Sequence, residues 1–324
     1  MELAPEPSEW LLQLSGIETS RSPAGSSILT YGGVSFAAIE RNHFDSTFGE
    51  FIRGFAMNEV KVGSREYKIM LKPSRFGGDL ANVLRVAASF WREAVDILGP
   101  VVLNTSGDLN KVQADRLIRF FDTSSHHLNR NYYCFRERAD PRGKTREVTL
   151  KFRHPDRFIA RDRDMRSDGK GAKTKFEEDI KPPFQQLYSY STTQPLEVDR
   201  KIETLKNVIR IFPGLKSGLT GFLADEPLTI VENFTAHEVV VGGAALKLSN
   251  KYDVSASCVL VIWHDEKKQG EPVVAEFSFK YGDNREDYGG GTVRRAFDVF
   301  QSLQTRFGGW MDPDSKTKTA FVYG

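Results

Sequence analysis

Few cysteines and no long apolar run limit the classes to which this chain can belong. The 324 residues include two cysteines, Cys134 and Cys258, and both lie in apolar, strand-like runs. Two cysteines of this kind exclude a disulfide framework and a cysteine-rich metal cluster, so we expect buried, reduced thiols in a cytoplasmic protein. Without about 18 consecutive apolar residues, no membrane-spanning helix is expected. The acidic start of the chain (MELAPEPSEW) is unlike a secretory signal.

The chain also lacks a strong excess of charge of either sign. Lys and Arg number 45, Asp and Glu 43, and the formal net charge is +2 at pH 7. Such a balance gives no general reason to expect nucleic acid or a membrane as partner. One local excess occurs at 151–175, with nine Lys or Arg and four Asp. Contact with nucleic acid is one interpretation of this segment, but a solvated, mobile loop over 154–172 is favoured.

The usual nucleotide, nucleophile and metal motifs are missing as well. Gly289–Gly291 lacks the Gly-Lys-Ser/Thr of a phosphate-binding loop, so a hinge or helix entry is favoured. No Ser/His/Asp or Cys/His arrangement is supported. His126 and His127 are neighbours that would point apart on a strand, and His264 has no further ligands at fixed spacing, so a metal site at these histidines is not favoured.

Apolar periodicity instead predicts many strands with a few helices. The clearest helix is 79–98, with Asp79 as its cap, and two more are predicted at 197–211 and 292–306. Strands are predicted at 64–73, 117–123, 132–138, 146–153, 173–180, 228–233, 237–242, 245–253, 257–264 and 272–281, and in the closing KTKTAFVYG. The fold class is therefore α+β, with a mainly antiparallel β-sheet that closes, or nearly closes, into a barrel with flanking helices.

Several of these strands carry charges on one face, because side chains alternate with a period of two. In the hairpin YCFRER–REVTLKFR, Arg136 and Arg138 share a face, and Lys151 shares one with Thr149 and Arg153. The same pattern recurs on other strands in the sets Ser64/Glu66/Lys68, Lys173/Lys175/Glu177/Asp179, Lys247/Ser249/Lys251/Asp253 and Glu276/Ser278/Lys280. A face exposed to water is the ordinary explanation. If the sheet curls with these faces inward, cations and carboxylates converge in one cavity that suits a polyphosphate and a divalent metal.

The order of these motifs resembles the CYTH superfamily of triphosphate tunnel proteins, which includes thiamine triphosphatases, inorganic triphosphatases and class IV adenylyl cyclases; polyphosphate polymerase domains share the fold. Ser64-Arg65-Glu66-Tyr67-Lys68 resembles the opening Glu-x-Glu-x-Lys strand, and 120-FFDTSSHHL-128 a Phe-Asp-Thr segment. Arg136-x-Arg138, Thr149-Leu150-Lys151 and Lys175-Phe176-Glu177 follow in the family's order. The resemblance covers roughly 62–324, so residues 1–60 are expected to be an N-terminal extension of unknown role and 61–324 the tunnel domain.

This resemblance implies a hydrolase that acts on inorganic, nucleotide or other organic triphosphates. Lys151, Glu66 and Glu276 would be catalytic, and a homodimer would not be unusual. Mg²⁺ or Mn²⁺ would be held by Glu66, Asp265, Glu276 and Glu177. Phosphate oxygens would be bound by Lys68, Arg136, Arg138, Lys151, Lys175, Lys247, Lys251, Lys280 and Lys316.

Two departures from the family pattern leave alternatives open. Ser64 and Ser278 each stand where the family has a carboxylate near the metal. One or two carboxylates with waters and phosphates can still hold Mg²⁺, which keeps hydrolysis as the first hypothesis. The second is a binder of a nucleotide or triphosphorylated ligand without turnover, and the third is cyclase chemistry on ATP.

Overall fold

A computed structural model of the chain describes residues 18–21, 27–31, 34–37, 60–267, 271–282 and 288–324. The chain divides into two compact units, Met1–Val60 and Lys61–Gly324. The described strands of the first unit are β1 (Glu18–Arg21), β2 (Ser27–Tyr31) and β3 (Val34–Ala37), which form an antiparallel sheet in that order.

The second unit is built from strands with helices between them. Its strands are β4 (Ser64–Leu71), β5 (Asn104–Ser106), β6 (Lys111–Asp122), β7 (Tyr133–Ala139), β8 (Thr145–His154), β9 (Lys173–Lys181), β10 (Gln185–Glu197), β11 (Thr229–Ser249), β12 (Val254–Asp265) and β13 (Pro272–Tyr281). Its helices are α1 (Leu80–Leu98), α2 (His127–Arg130), α3 (Arg157–Arg161), α4 (Leu205–Ile211), α5 (Leu215–Gly218), α6 (Gly290–Arg306) and α7 (Lys318–Tyr323), with a 3-10 turn at Pro73–Phe76. No helix in the described part of the chain is both long and apolar enough to cross a membrane.

Nine of these strands close into a barrel. Neighbouring strands follow the order β12-β13-β4-β9-β10-β8-β7-β6-β11, and β11 also pairs with β12, which joins the two ends. β4 and β9 run parallel, and the other barrel pairs are antiparallel. The closed barrel removes exposed sheet edges and gives each strand an inner and an outer face. The predicted α+β class with a mainly antiparallel barrel is thus confirmed.

The outer face of β4, β11, β12 and β13 carries the main apolar core, together with α1 and α6. The ring centroids of Phe90 on α1 and Phe277 on β13 lie 5.0 Å apart, and those of Tyr67 on β4 and Phe300 on α6 lie 5.1 Å apart. Phe90 is fully buried, and burial of such a side chain stabilises the fold by roughly 1.5–3 kcal/mol. Because these outward positions alternate with the charged ones, the core fixes the charged faces inward.

A second apolar cluster occupies part of the barrel interior. Phe120 on β6, Trp263 on β12 and Val322 on α7 belong to it, and the Phe120 and Trp263 ring centroids are 5.9 Å apart. The C-terminal helix α7 also contacts β11, where Phe321 and Phe234 lie 5.4 Å apart. The interior is therefore divided between an apolar part that α7 completes and a polar part lined by charges.

Local interactions explain why several predicted helices and strands are present in the structure. Helix 79–98 is confirmed as α1, and the Asp79 side chain accepts a hydrogen bond from the backbone N–H of Asn82 at 2.8 Å. The strand at 173–180 is confirmed as β9. The helix predicted at 197–211 starts only at Leu205, because Thr204 and Asn207 form a capping box there.

Other predictions about the elements are wrong. The closing segment is the helix α7 and not a strand, since Thr317 caps it and its apolar residues pack inside the barrel. Segment 154–172 is not merely a loop, because Asp156 caps α3 and Met165 is buried. The three strands predicted between 228 and 253 are one long strand, Thr229–Ser249, and Lys251 lies in the turn that follows. Strand β10 was missed, since its polar Ser and Thr residues resemble a loop in sequence. The helix considered after the first strand falls at residues 38–59, outside the described residues.

Candidate functional site

Charged side chains meet in the polar part of the barrel, from the neighbouring strands β13, β4 and β9 and from the pair β8 and β7, with β10 between the two groups. They alternate along each strand with outward residues of the apolar core, such as Tyr67 on β4 and Phe279 on β13. The inner cations and acids are Lys68 and Glu66 on β4, Lys280 and Glu276 on β13, Glu177 and Asp179 on β9, Lys151 and Arg153 on β8, and Arg136 and Arg138 on β7. The predicted inward orientation of the hairpin's basic face is what brings these groups together.

Lys68 lies between two carboxylates. Its Nζ is 2.8 Å from Asp179 Oδ1 and 3.2 Å from Glu66 Oε2, and Ser189 Oγ donates to Asp179 Oδ2 at 2.8 Å. Burial opposes ionisation of both acids, yet the nearby positive charge of Lys68 outweighs it, so the pKa values of Asp179 and Glu66 are lowered. Burial likewise opposes the ammonium of Lys68, but Asp179 and then Glu66 raise its pKa. All three groups are charged at neutral pH.

The other carboxylates of this region are also paired with lysines. Lys280 Nζ lies 3.2 Å from Glu177 Oε1, which also accepts from Ser64 Oγ at 3.0 Å. Lys318 Nζ, at the start of α7, lies 2.5 Å from Glu276 Oε1. Buried carboxylates without such partners would be strongly destabilising, so these pairs keep the interior acids ionised.

Lys151 differs from these lysines, because no carboxylate lies within ion-pair distance of it among the described residues. Its pKa is lowered to about 7, mainly by burial and then by repulsion from Arg153, and attraction by Asp179 partly offsets both. Arg153 itself donates to Thr319 Oγ1 on α7 at 2.7 Å. Lys151 is therefore a buried amine that titrates near neutral pH and would gain an electrostatic partner from an anion.

A cluster of arginines lies on β6 and β7 around one acid, Glu238 on β11. Arg116 donates to Glu238 Oε1 from Nε at 2.9 Å and from Nη2 at 2.7 Å, and the Trp263 indole donates to Oε2 at 2.8 Å. Arg138 Nε is 3.9 Å from the same carboxylate, and burial followed by repulsion from Arg136 lowers the Arg138 pKa to about 9. The Nε atoms of Arg136 and Arg138 are buried and make no hydrogen bond to a described residue. Positive charge thus exceeds negative charge in this cluster.

Two cavities open at opposite ends of β8. One, of about 480 Å³, lies between the charged wall and α7 and is lined by Lys68, Arg153, Asp179, Lys181, Glu276 and Thr319, among others. The other, of about 500 Å³, is lined by Arg116, Arg138, Arg142, Arg146 and Glu147, with other residues of β6 and β7. Either volume exceeds what a few phosphate groups need, and the cations on the walls suit an anionic ligand.

Two of the acids are placed to act together as ligands for a divalent metal. The oxygens of Glu66 and Asp179 converge on one point, now occupied by the Lys68 ammonium, and hard carboxylate oxygens are what Mg²⁺ and Mn²⁺ prefer. Two carboxylates with phosphate and water oxygens are a sufficient set for Mg²⁺. Among the described residues no group of three or more His, Cys, Asp or Glu side chains is arranged to hold a metal.

Some predicted residues lie elsewhere. The Asp265 carboxylate accepts from the backbone N–H of Lys267 at 2.9 Å and lines a different cavity. Lys247 pairs with Asp253, and the Lys251 ammonium lies 5.1 Å from the centroid of the Tyr252 ring. Lys175 and Lys316 are exposed. Among the described residues, none of these five makes a hydrogen bond or ion pair with the charged groups of the interior.

Sequence reasoning missed several members of the site. Lys318 was not predicted as a site residue, because the last segment was predicted to be a strand and the nearby Lys316 was selected. Asp179 was predicted on the charged face of β9 but not as a metal ligand. It shares that face with Glu177, which was predicted as one, so the alternation could have identified it. Arg116 and Glu238 come from separate strands whose pairing no local pattern indicates.

Comparison with known proteins gives only distant matches. No family model and no curated protein matches the sequence. HpAC1 from Hippeastrum, provisionally named an adenylyl cyclase and described as having a dominant triphosphatase activity, is 13% identical with a TM-score of 0.37, over 81% of this chain and 95% of its own. A provisionally named adenylate cyclase from Bacillus halodurans is 12% identical with a TM-score of 0.36, over 81% of this chain and 100% of its own. What this chain does must therefore be inferred from its own side chains.

Proposed function

We propose that the barrel binds the triphosphate group of a small molecule and hydrolyses it with the help of Mg²⁺ or Mn²⁺. The observation that carries this proposal is the excess of cations inside the barrel: Lys151 and Arg136 are half-buried and face the interior without a carboxylate within ion-pair distance among the described residues. A buried charge without a partner is strongly destabilising, so a polyanion that supplies the missing charge binds with a large electrostatic gain.

Different residues of the barrel would bind the phosphate groups and the metal ion. Lys151, Arg136, Arg138 and Arg153 would donate to phosphate oxygens, and binding would keep Lys151 protonated although its pKa is about 7 in the free protein. Glu66 and Asp179 would hold the metal ion, with Glu276 and Glu177 beside them. When bound, the metal supplies charge neutralisation on the phosphoryl oxygens. The Lys68 ammonium, which contacts both acids in the free protein, would give up this position to the metal and donate to a phosphate oxygen instead.

A second candidate is a binder without turnover. It is favoured by the pairing of Glu66, Asp179, Glu177 and Glu276 with lysines and by Ser64 and Ser278, where the resembling family has carboxylates. The cation contacts would then be retained while metal binding is weakened. Cyclase chemistry on ATP is the third alternative, and it differs in its products, cyclic nucleotide and pyrophosphate.

The experiment is a panel of inorganic triphosphate, thiamine triphosphate, ATP and GTP, each with Mg²⁺, Mn²⁺ or chelator. Released phosphate, cyclic nucleotide and the melting temperature are measured on the same samples. We expect metal-dependent phosphate release that falls at least about a hundredfold in Lys151→Met, because a hydrogen bond between charged groups contributes about 1.5–3 kcal/mol and here also positions the substrate. The matched control is Lys251→Met, a lysine in the turn after β11.

Each outcome decides between the candidates. Stabilisation by a triphosphate without release, even with Mn²⁺, would replace hydrolysis by binding. Cyclic nucleotide would replace it by cyclase chemistry. If none of the four ligands stabilised the protein and no product formed, the proposal would be overturned.

A further inference from the structure

A separate cavity of about 390 Å³ lies on the outer side of the barrel, beside the start of α1. Its walls include Asp79 and Leu80 of α1, Asp115 on β6, His237 on β11, and His264 and Asp265 on β12. None of these residues contacts the ion pairs described inside the barrel. The proposed function leaves both histidines without a role.

His264 is the unusual member of this cavity. Its side chain is buried, with 9% of the residue exposed, and neither Nδ1 nor Nε2 has a hydrogen-bond partner of normal geometry among the described residues. Buried polar atoms in folded proteins nearly always have a partner, so a ring with two unsatisfied nitrogens facing a cavity indicates a missing ligand. Leu80 and Val83 on the same wall offer it no polar group.

His237 is the cross-strand neighbour of His264 in the antiparallel β11–β12 pair. The two ring centroids are 6.0 Å apart, with 38° between the ring planes. A metal about 2.1 Å from an imidazole nitrogen lies about 3.2 Å from the ring centroid, so two rings on one ion have centroids about 5–6.5 Å apart. The observed separation allows both rings to reach the same ion with small side-chain rotations.

Asp115 completes the arrangement around His237. Its Oδ1 lies 2.5 Å from His237 Nε2, which leaves Nδ1 of that ring as the nitrogen that can bind a ligand. Histidines that bind metals commonly donate their second N–H to a carboxylate, which fixes the tautomer and makes the ring a stronger ligand. Asp79, Asp265 and Glu266 on the cavity walls add negative charge, which favours a cation over an anion.

We propose that His237 and His264 bind one divalent transition metal ion, of the class Zn²⁺, Ni²⁺ or Cu²⁺, with Asp115 as the carboxylate that orients His237. Imidazole nitrogens select these metals over Mg²⁺, and water completes the coordination of a site with two protein ligands. The side chain of His237 is 37% exposed, which gives the ion an entry path from solvent.

The test uses the full-length protein, stripped of metals with chelator and then titrated with Cu²⁺ or Zn²⁺ alone. Calorimetry measures affinity and stoichiometry, and electron paramagnetic resonance of the Cu²⁺ form reports the number of nitrogen ligands. We expect one site with two imidazole nitrogens. His264→Gln and His237→Gln should each bind the ion at least about tenfold more weakly and show one nitrogen ligand fewer in the spectrum. Asp115→Asn should also bind the ion at least about tenfold more weakly.

Two controls separate this site from the others. His154→Gln, a histidine on β8, and His127→Gln, a histidine on α2, should both bind Cu²⁺ as the wild type does. The proposal is overturned if the wild type binds no Cu²⁺ or Zn²⁺, or if the His237→Gln/His264→Gln double variant, shown to be folded by circular dichroism, keeps the wild-type affinity and spectrum. Neither result bears on triphosphate binding, which the phosphate-release panel tests separately.

Discussion

At the scale of single residues, the lysines inside the barrel are not equivalent, although the sequence gives each the same alternating context. Lys68, Lys280 and Lys318 each contact a carboxylate, whereas the strongest influence of a charge on Lys151 is repulsion by Arg153. The pKa of Lys280 is raised, because attraction by Glu177 outweighs burial, while that of Lys151 is lowered to about 7. A lysine that is paired with a carboxylate stabilises the fold. A lysine without such a partner lowers the free energy of unfolding, but it remains available to bind an anion.

Lys151→Met is therefore expected to make the ligand-free protein more stable at pH 7. The folded pKa of about 7 lies below the unfolded value of 10.5, so the unfolded state holds the proton that the folded state releases. Stability of the wild type should rise with pH through this window, and this rise should be smaller in Lys151→Met. Urea unfolding at pH 7 and pH 9 measures both effects.

The matched variant is Lys280→Met, which removes a paired ammonium and leaves Glu177 buried without it. It should be less stable than the wild type at both pH values. If Lys151→Met were destabilised at pH 7 to the same extent as Lys280→Met, the amine would be a structural group and not an unpartnered cation.

At the scale of elements, helix α7 shows how tertiary contacts decide the structure of an ambiguous segment. Phe321, Val322 and Tyr323 are as compatible with a strand as with a helix by propensity. Inside the barrel, Val322 joins the apolar cluster and the Tyr323 hydroxyl donates to Asp122 Oδ2 at 3.2 Å. The helix also brings Lys318 to Glu276, so one wall of the 480 Å³ cavity is formed by the last residues of the chain.

A double-mutant cycle on Lys318 and Glu276 measures how strongly α7 is held. Lys318→Met and Glu276→Gln should each lower the free energy of unfolding by about 2–4 kcal/mol, because each leaves a buried partner unsatisfied. The double variant should lose less than the sum, with a coupling of about 1–3 kcal/mol. Chemical denaturation of the four proteins gives the values.

The comparison pair for that cycle is Lys201–Glu203, which is exposed with 3.5 Å between Nζ and Oε1. Its coupling should stay below about 1 kcal/mol, as exposed pairs do. Additive effects at Lys318 and Glu276 would show that the two groups act independently, and that α7 is held by its apolar contacts alone.

At the scale of the whole molecule, the second unit has what an independent domain requires. Its barrel closes within residues 64–281, and the core on its outer face is formed with α1 and α6 of the same unit. The chain divides into the compact units Met1–Val60 and Lys61–Gly324, and that the second is an independent domain stays a prediction. A domain with its own core is expected to fold alone.

A fragment of residues 61–324 should accordingly unfold in one cooperative transition with a melting temperature within a few degrees of the full chain. It should also keep the stabilisation by triphosphate, since the proposed site lies entirely within it. Scanning calorimetry with and without ligand tests this. A fragment that shows no cooperative transition, or that no longer responds to a ligand to which the full chain responds, would show that residues 1–60 complete the fold or the site.

The sequence by itself determined which side chains share a face of each strand, because alternation depends only on the local geometry of an extended chain. That was enough to place Glu66 with Lys68, Arg136 with Arg138, and Glu276 with Lys280. The capped helix α1 followed equally from local signals, since Asp79 and the apolar repeat lie within one segment.

Only the tertiary structure decided which face points inward and which charges meet. Closure depends on the pairing of β11 with β12 and on the packing of α1 and α6, which are contacts between distant segments. The same contacts pair Lys318 with Glu276, and Arg116 with Glu238 across 122 positions of sequence. In the part of the chain that the structure describes, they bring no carboxylate within ion-pair distance of Lys151. Electrostatic partners depend on three-dimensional distance, and alternation along one strand carries no information about what lies across the barrel.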